Sequence, residues 1–529
     1  MAIFTHAAGR TAIRLLGLGI LTIATSDGSA ETLAEAIASA YQSNPTLQAQ
    51  RAQLRATDET YVQARSGYGP TLQVQASANY NQDRLRDSFS GDVPLAATTT
   101  RSNLGRAEVV VDQPLYTGGR TALAVHGAEE RIRAAREALR ATEQNMVLSV
   151  IQAYLDVRRD LQALDVRHAN LDALNLQLKE TRARQRAGEV TQTDVAQAQA
   201  QVFAEEAGVA LAENQLRASR TEYTTVVGHM PGDLSPEPPL PGVPGSSDLA
   251  FKIAADASPE FQQALFAEQV SRNDVRIARA GERPTITLRG TYGYSTTLDP
   301  FNQRNRDRAL TGQAILSIPI FSSGRLSSEI RQALEVNGSD RLSIEAARRT
   351  MVQNVANAWN ELVTYTANID RQSSQVDAAA IAFKGMRLEY RAGERSTLDV
   401  LVAEETLRDA ELAKLSAQHD AALAAALVLR YIGRLDARDI VAGIPAYDPA
   451  AHLKKVENKG ALPVERVVRA LDGSFKPGVG SKPLPAPSSA PHPVVAVPQD
   501  QPVLAPVTTV PIAPVPGTIS NVSGQPIDN

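Results

Sequence analysis

The sequence predicts an α+β membrane protein that is built from two copies of one structural plan. Three observations support this fold class. Segments of the first half of the chain recur in the second half. Each copy holds two stretches of about ten residues in which apolar and polar side chains alternate, as in strands that cross an outer membrane. Each copy also holds a helix-like stretch that is too long for a compact domain.

The recurrence has a fixed spacing over long blocks of sequence. Residues 44–80 match residues 258–294 at an offset of 214, and two shorter blocks match at an offset of 205. Recurrence at a fixed spacing indicates duplicated structural units. We therefore expect a first repeat over residues 31–228, a Pro/Gly-rich connector over residues 229–247 and a second repeat over residues 248–440.

Four strands are predicted from the alternating stretches. In the first of them Leu72 and Val74 alternate with Gln73 and Gln75, which places the apolar side chains on one face only. The predicted strands cover residues 71–80, 104–113, 285–294 and 310–319. Two hairpins of a soluble domain are the alternative interpretation of the same pattern.

The longest helix-like stretch covers residues 119–186 and contains no proline. At 1.5 Å per residue, such a helix is about 100 Å long. Apolar residues recur every seven positions in both copies, which is typical of a left-handed coiled coil. The first copy has Val150, Val157, Leu164, Leu171 and Leu178, and the second has Val355, Leu362, Ile369, Val376 and Phe383.

Four strands are too few to close a barrel, because single-chain bacterial barrels start at about eight strands. The open edges of the sheet must then pair with other copies of the chain. Two chains would give a barrel whose interior is filled by side chains. A conduit therefore favours three chains or more.

The first 30 residues are typical of a signal peptide. A positively charged start precedes an apolar stretch over residues 15–24, which is too short to span a bilayer. Gly28 and Ala30 are small residues where a signal peptidase requires them, so Glu31 is the expected N-terminus after cleavage. A short buried helix is the alternative.

The C-terminal end has a different composition. Of the 30 prolines in the chain, 13 lie after residue 476, and no helical or strand period runs through them. We expect residues 441–529 to form a Pro-rich, disordered tail. A rigid polyproline spacer or a ligand for a partner protein is the alternative.

Composition and motifs argue against several classes of function. The net charge of −4 provides no basic surface for a nucleic acid. The chain has no cysteine, and its seven histidines are scattered without the spacing of metal ligands. The sequence motifs of zinc proteases, serine hydrolases and phosphate-binding loops are missing. We expect no enzyme activity, no cofactor and no metal site.

Taken together, these features resemble the TolC family of outer-membrane channel-tunnels. The most specific matches are QPLYTGGR and IPIFSSGR, where strand gives way to helix, and two RAGE turns followed by TQTDV and STLDV. The resemblance covers residues 31–440. It implies a homotrimer in which four strands per chain form a twelve-stranded transmembrane β-barrel, continued in the periplasm by a long α-helical coiled-coil barrel.

The resemblance also implies a function and partners. The protein would be the outer-membrane exit channel of a tripartite export system that conducts substrate passively, with type I protein secretion favoured over drug efflux. Its partners would be a periplasmic membrane-fusion adaptor, an inner-membrane ABC exporter or proton-driven pump, and outer-membrane lipid. A periplasmic adaptor or a structural coiled-coil protein of the envelope is the alternative, although neither accounts for four alternating strands.

A periplasmic gate is implied at the tips of the two helical hairpins. Val402 occupies the position of a second acidic residue in the family, so only one acidic ring is expected. Helix capping alone is the alternative role of the aspartates at the tips, and packing alone is the alternative for Tyr390, which continues the seven-residue repeat. The expected gate residues are Thr193, Asp194, Tyr390, Arg395 and Asp399; the tip turns are at Gly188 and Gly393; and the barrel-to-helix junctions are at Pro114, Gly119, Pro319 and Gly324.

Overall fold

A computed structural model describes residues 30–85, 88–90, 93–95, 98–298, 306–441 and 443–474. Residues 1–29 of the predicted signal peptide and residues 475–529 of the predicted tail lie outside the described residues. The described chain is mainly helical and contains one four-stranded sheet. None of its helices is both long enough and apolar enough to cross a membrane.

The helices come in pairs of matching length, one member from each repeat. The first repeat contains α1 (Leu33–Ser43), α2 (Pro45–Ser66), α3 (Arg120–Arg186) and α4 (Gln192–Val227). The second contains α5 (Ser247–Ala257), α6 (Pro259–Ala280), α7 (Arg325–Arg391) and α8 (Thr397–Tyr431). Both α3 and α7 have 67 residues, so each is about 100 Å long.

The N-terminal part of each repeat is broken into two helices by a proline. Pro45 disfavours helical backbone at the residue before it, and Asn44 adopts extended backbone with ψ 120°. The Asn44 side chain then accepts hydrogen bonds from the amides of Thr46 and Leu47, at 3.0 and 3.2 Å, which caps α2. The same break occurs before Pro259 in the second repeat.

The strands form an antiparallel sheet in the order β1 (Thr71–Leu85), β4 (Thr98–Tyr116), β5 (Thr285–Thr297) and β6 (Arg306–Ser317). A small hairpin of β2 (Ser88–Ser90) and β3 (Val93–Leu95) lies between β1 and β4 in the chain. Each of the four sheet strands is longer than predicted, because backbone pairing continues into polar sequence where the alternation fades. The last strand also ends at Ser317 instead of residue 319.

The register of the sheet collects most of the apolar residues of its four strands on one face. Val74 pairs with Val109, Val109 with Tyr292, and Tyr292 with Leu310. The opposite face is mainly polar and holds an ion pair in which Arg289 Nε lies 2.6 Å from a carboxylate oxygen of Asp112. In the described chain, β1 and β6 each pair on one side only and are therefore the open edges of the sheet.

The main hydrophobic core lies around the middle of the long helices. Val150 and Val157 of the predicted seven-residue repeat are buried there, together with Tyr154. The oxygen of the Tyr154 hydroxyl lies 2.9 and 2.7 Å from the backbone carbonyl oxygens of Glu31 and Ser235, so its single proton is shared between them. The core therefore joins α3 to the start of the described chain and to the connector.

The prediction of a disordered tail from residue 441 is wrong for residues 443–474. Beyond α9 (Ala437–Ile440), this segment contains α10 (Ala451–Val456) and α11 (Val464–Ser474). Val456 and Val468 are buried, so the segment contributes to a packed structure. The Pro-rich composition that led to the prediction begins only after α11, and that region lies outside the described residues.

Candidate functional site

Each long hairpin turns at a glycine with left-handed backbone. Gly188 has φ +80° and Gly393 has φ +82°, a conformation that strains residues with a side chain. The amide that follows each glycine closes the helix end: Glu189 N donates to Arg184 O at 3.0 Å and Glu394 N to Glu389 O at 2.9 Å. The two turns therefore have the same geometry, as the matching RAGE sequences predict.

Reciprocal capping boxes begin the return helices at both tips. The Asp194 carboxylate accepts from the amide and hydroxyl of Thr191, at 2.8 and 2.7 Å, and the Asp399 carboxylate accepts from those of Ser396, at 3.0 and 2.9 Å. The Ser396 hydrogen bonds lower the pKa of Asp399, and the positive charge of Arg395 adds to this effect. Capping is thus a structural role of both aspartates, and gating stays a prediction. Thr193 is exposed beside the first box.

Tyr390 joins the two hairpins of the chain. Its side chain is only 3% exposed, and the guanidinium carbon of Arg184 lies 4.4 Å from the ring centroid. Arg184 Nη1 also donates to the backbone carbonyl of Tyr390 at 3.2 Å. Because Arg184 lies in the last turn of α3 and Tyr390 in that of α7, this contact connects the hairpins at their tips.

Arg395 pairs within its own hairpin. Its Nε lies 2.8 Å from a carboxylate oxygen of Glu389, and both side chains are about half exposed. The hydrogen bond to Glu389 raises the pKa of Arg395. Because both partners belong to the second hairpin, this pair does not connect the two tips, whereas the contact of Tyr390 with Arg184 does.

Sequence reasoning missed Arg184 and Glu389. At the offset of 205 that relates the two hairpins, these residues occupy the same position. One copy therefore carries a cation where the other carries a carboxylate. That reversal of charge is the signal that could have drawn attention to both residues.

A buried charge cluster lies on the side of the tips that faces the sheet. Glu205 is 2% exposed. Its Oε2 lies 2.7 Å from Nη1 of Arg408 in the other hairpin, and its Oε1 lies 3.4 Å from Nη1 of Arg167. Next to it, Glu404 is 6% exposed, and burial raises its pKa to about 7 even though Arg387 and Arg408 oppose the shift. The contact between the hairpins therefore contains a carboxyl group that titrates near neutral pH.

We expect Glu404→Gln to stabilise the protein at pH 8 and to have little effect at pH 5. Between about pH 4.5 and pH 7 the Glu404 carboxyl group is protonated in the folded protein but ionised in the unfolded chain. The free energy of unfolding therefore falls as the pH rises through this range. A pKa raised from the usual value of about 4.5 to about 7 corresponds to about 3 kcal/mol. Thermal unfolding at both pH values measures the effect.

Glu405→Gln is the matched control, because Glu405 is the neighbouring residue and its side chain is 49% exposed. It should change the unfolding midpoint little at either pH. Equal shifts from the two variants, or a Glu404→Gln shift independent of pH, would contradict burial as the cause.

The predicted junctions lie where the sheet ends and the long helices begin. The pairing of β4 with β5 shifts register between Pro114 and Tyr116, as expected where a proline cannot donate a hydrogen bond. Gly119 and Gly324 precede α3 and α7 with φ +81° and +80°. Pro319 follows the last strand and is exposed.

The first junction has a cap that the sequence did not predict. Asp472 of α11 is 3% exposed, and its Oδ1 accepts from the amides of Thr117 and Gly119, at 2.8 and 3.1 Å. A carboxylate at a helix N-terminus satisfies free amides and interacts favourably with the helix dipole. The Gly324 junction has no side-chain cap at its N-cap position.

Asp472→Ala should lower the stability of the protein by about 0.5–2 kcal/mol, the usual cost of losing a cap. Asp472→Asn should cost less, since it keeps an acceptor.

Truncation after Ser474 leaves these contacts in place and should be nearly neutral, whereas truncation after Ala461 removes α11. Thermal unfolding of the four proteins is the measurement, and equal stability of both truncations would show that α11 contributes nothing.

Among the described residues, no group of three or more His, Cys, Asp or Glu side chains is arranged to hold a metal ion. The charged clusters described above are ion pairs between helices.

Comparison with known proteins agrees with this architecture. The family model for "Outer membrane efflux protein" matches residues 36–229 and 251–434, more than two thirds of the chain. The outer membrane efflux protein BepC of Brucella suis is 31% identical over 429 residues, which are 81% of this chain and 91% of BepC. The proteases secretion protein PrtF of Dickeya chrysanthemi is 26% identical over 395 residues, which are 73% of this chain and 85% of PrtF.

A solved structure has the same fold. The CmeC outer membrane channel of Campylobacter jejuni superposes with a TM-score of 0.65 at 14% sequence identity, covering 87% of this chain and 98% of CmeC. The two matched segments of the family model coincide closely with the two structural repeats. The chain belongs to the outer membrane efflux protein family, that of the TolC channels, and is an outer-membrane protein with a large periplasmic part.

Proposed function

We propose that this chain is one protomer of a trimeric exit channel that carries substrate through the periplasm and across the outer membrane. The observation that carries the proposal is the sheet with open edges at β1 and β6, continuous with two hairpins of about 100 Å. Open edges favour pairing with other chains. Three copies of a four-stranded sheet make a closed barrel of twelve strands, with six hairpins beneath it.

The tips of the hairpins are the proposed gate and the proposed docking site of a periplasmic adaptor. Exposed apolar side chains support a partner at the tips: Leu388 is 58% exposed, Leu398 50% and Val402 52%. In the trimer, three Asp399 side chains would ring the entrance, while Tyr390 and Arg184 would hold the hairpins of each chain together. An inner-membrane ABC exporter or proton-driven pump would supply the substrate.

Protein secretion by a type I system is the substrate class that we favour, with drug efflux as the second candidate. PrtF supports the first by its name, as a proteases secretion protein, and BepC supports the second, as an efflux protein. Deletion of the gene separates the two. Loss of one or more extracellular proteins with unchanged drug susceptibility supports secretion, and the reverse pattern supports efflux.

Cysteine substitution tests which face of the sheet meets lipid. The chain has no native cysteine, so single cysteines can be placed at Leu288 or Leu316 on the apolar face and at Thr287 or Ser317 on the polar face. A membrane-impermeant thiol reagent applied to intact outer membranes should label the polar pair at least several-fold more than the apolar pair. Equal labelling of both pairs would exclude a membrane-spanning sheet.

A further inference from the structure

The helix α11 buries its two acidic residues and exposes its two arginines and part of its apolar surface. Glu465 and Asp472 are 5% and 3% exposed and face the protein. Glu465 Oε1 accepts from the amide of Leu462 at 3.0 Å, and Asp472 caps α3. On the other side, Val467 is 59% and Leu471 42% exposed. The outward surface of α11 is therefore apolar and free of acidic residues.

Two arginines border this apolar surface. Arg466 and Arg469 are both exposed, and the guanidinium of Arg469 lies over the ring of Tyr68 at 5.5 Å from its centroid. With the two acidic side chains of α11 turned inward, the outward face of the helix carries positive charge beside apolar residues. This is the composition of helices that lie in a membrane interface.

The position of α11 continues the apolar face of the sheet. Gln113 shares that face, since it pairs with Leu288, and its amide donates to the Tyr68 carbonyl at 3.0 Å. Arg469 covers the ring of the same tyrosine. Because Asp472 also caps the start of α3, α11 lies at the level where the sheet gives way to the periplasmic helices.

We propose that α11 lies in the headgroup region of the periplasmic leaflet of the outer membrane and binds its anionic phospholipids. Val467 and Leu471 enter the boundary of the acyl chains, and Arg466 meets lipid phosphates. Two features favour lipid as the binding partner of α11. The helix continues the apolar face of the sheet, and the positive charge of its outward surface complements acidic headgroups. The alternative is that the outward surface of α11 contacts a neighbouring copy of the chain. The inference rests on the proposed insertion of the sheet into the membrane.

Depth-dependent fluorescence quenching tests the inference in the full-length protein. Single cysteines at Leu471, Leu72 and Leu211 are labelled with an environment-sensitive fluorophore, and the protein is inserted into vesicles of phosphatidylethanolamine and phosphatidylglycerol that contain a spin-labelled lipid. Leu72 on the apolar face of the sheet is the lipid-exposed reference. Leu211 on α4 is the reference outside the membrane, with 72% exposure in the described chain.

The label at Leu471 should be quenched several-fold more than the label at Leu211, and most strongly by a spin label near the headgroup. Arg466→Glu should reduce this quenching in vesicles that contain phosphatidylglycerol and leave it unchanged in vesicles of phosphatidylcholine alone. Quenching at Leu72 without quenching at Leu471 overturns the inference, and α11 then faces solvent or another copy of the chain. An unquenched Leu72 instead overturns the proposed function, because the sheet would not be in the membrane.

Discussion

Arg184→Ala should increase the conductance of the reconstituted channel many-fold without unfolding the protein. The substitution removes the cation that lies 4.4 Å from the centre of the Tyr390 ring and its hydrogen bond to the Tyr390 carbonyl. A cation–π contact of this kind contributes about 0.5–2 kcal/mol. In the proposed trimer, with the proposed gate at the tips, three symmetric copies would together bias the closed state by several kcal/mol, and each 1.4 kcal/mol is about a tenfold change in population. Planar bilayer recordings measure the change.

Arg182→Ala is the matched control, since it removes the same charge from an exposed position two residues earlier on α3. It should leave the conductance almost unchanged. Tyr390→Phe keeps the aromatic ring beside Arg184 and should have a smaller effect than Arg184→Ala. Arg395→Ser should also have a small effect alone, because its pair with Glu389 is exposed and lies within one hairpin. A conductance for Arg184→Ala equal to that of wild type would place the gate elsewhere.

Gly433→Ala should destabilise the protein by more than about 4 kcal/mol, a cost that single substitutions rarely reach. The glycine ends α8 with φ +75°, where a side chain is strained by about 1–2 kcal/mol. An added Cβ would also overlap the backbone carbonyl of Ala257, at the break between α5 and α6. Because the overlap is with backbone, no side-chain rotation can relieve it.

Gly228→Ala is the matched comparison, because Gly228 ends α4 in the first repeat with φ +100°. There the added Cβ would meet the hydroxyl of Ser43 at 3.1 Å, and that side chain can move. The cost should then be little more than the backbone strain. Thermal unfolding of both variants measures the difference, and equal losses would mean that the Ala257 contact adds nothing.

The sequence predicted the elements whose signals are local. The strands follow from an alternation visible in adjacent residues, and the turn at Gly393 with its Ser396 cap follows from a short motif. The break at Asn44 was missed although Pro45 signalled it, because the helical composition continues on both sides. The helix α11 has an apolar period of its own, with Val464, Val468 and Leu471, but the prolines that follow concealed it.

The contact between Tyr390 and Arg184 was beyond such reasoning. The two residues are 206 positions apart, and their meeting depends on the rotation of one hairpin about its axis relative to the other. A heptad pattern fixes which stripe of a helix is buried, but it does not identify which helix lies opposite. The raised pKa of Glu404 was equally beyond it, because the burial that raises the pKa has no signal in the residues next to Glu404 in the sequence.

The equal lengths of α3 and α7 constrain how this chain can evolve. Each inserted residue lengthens a helix by about 1.5 Å and rotates everything beyond it by about 100°. An insertion in one hairpin alone would leave its tip out of level with the other and turn Arg184 away from Tyr390. We therefore expect changes of length to occur in both copies together and in steps close to a whole number of turns, such as seven residues. Point substitutions on the outer surfaces do not change these lengths, so the two halves can diverge in sequence while α3 and α7 remain equally long.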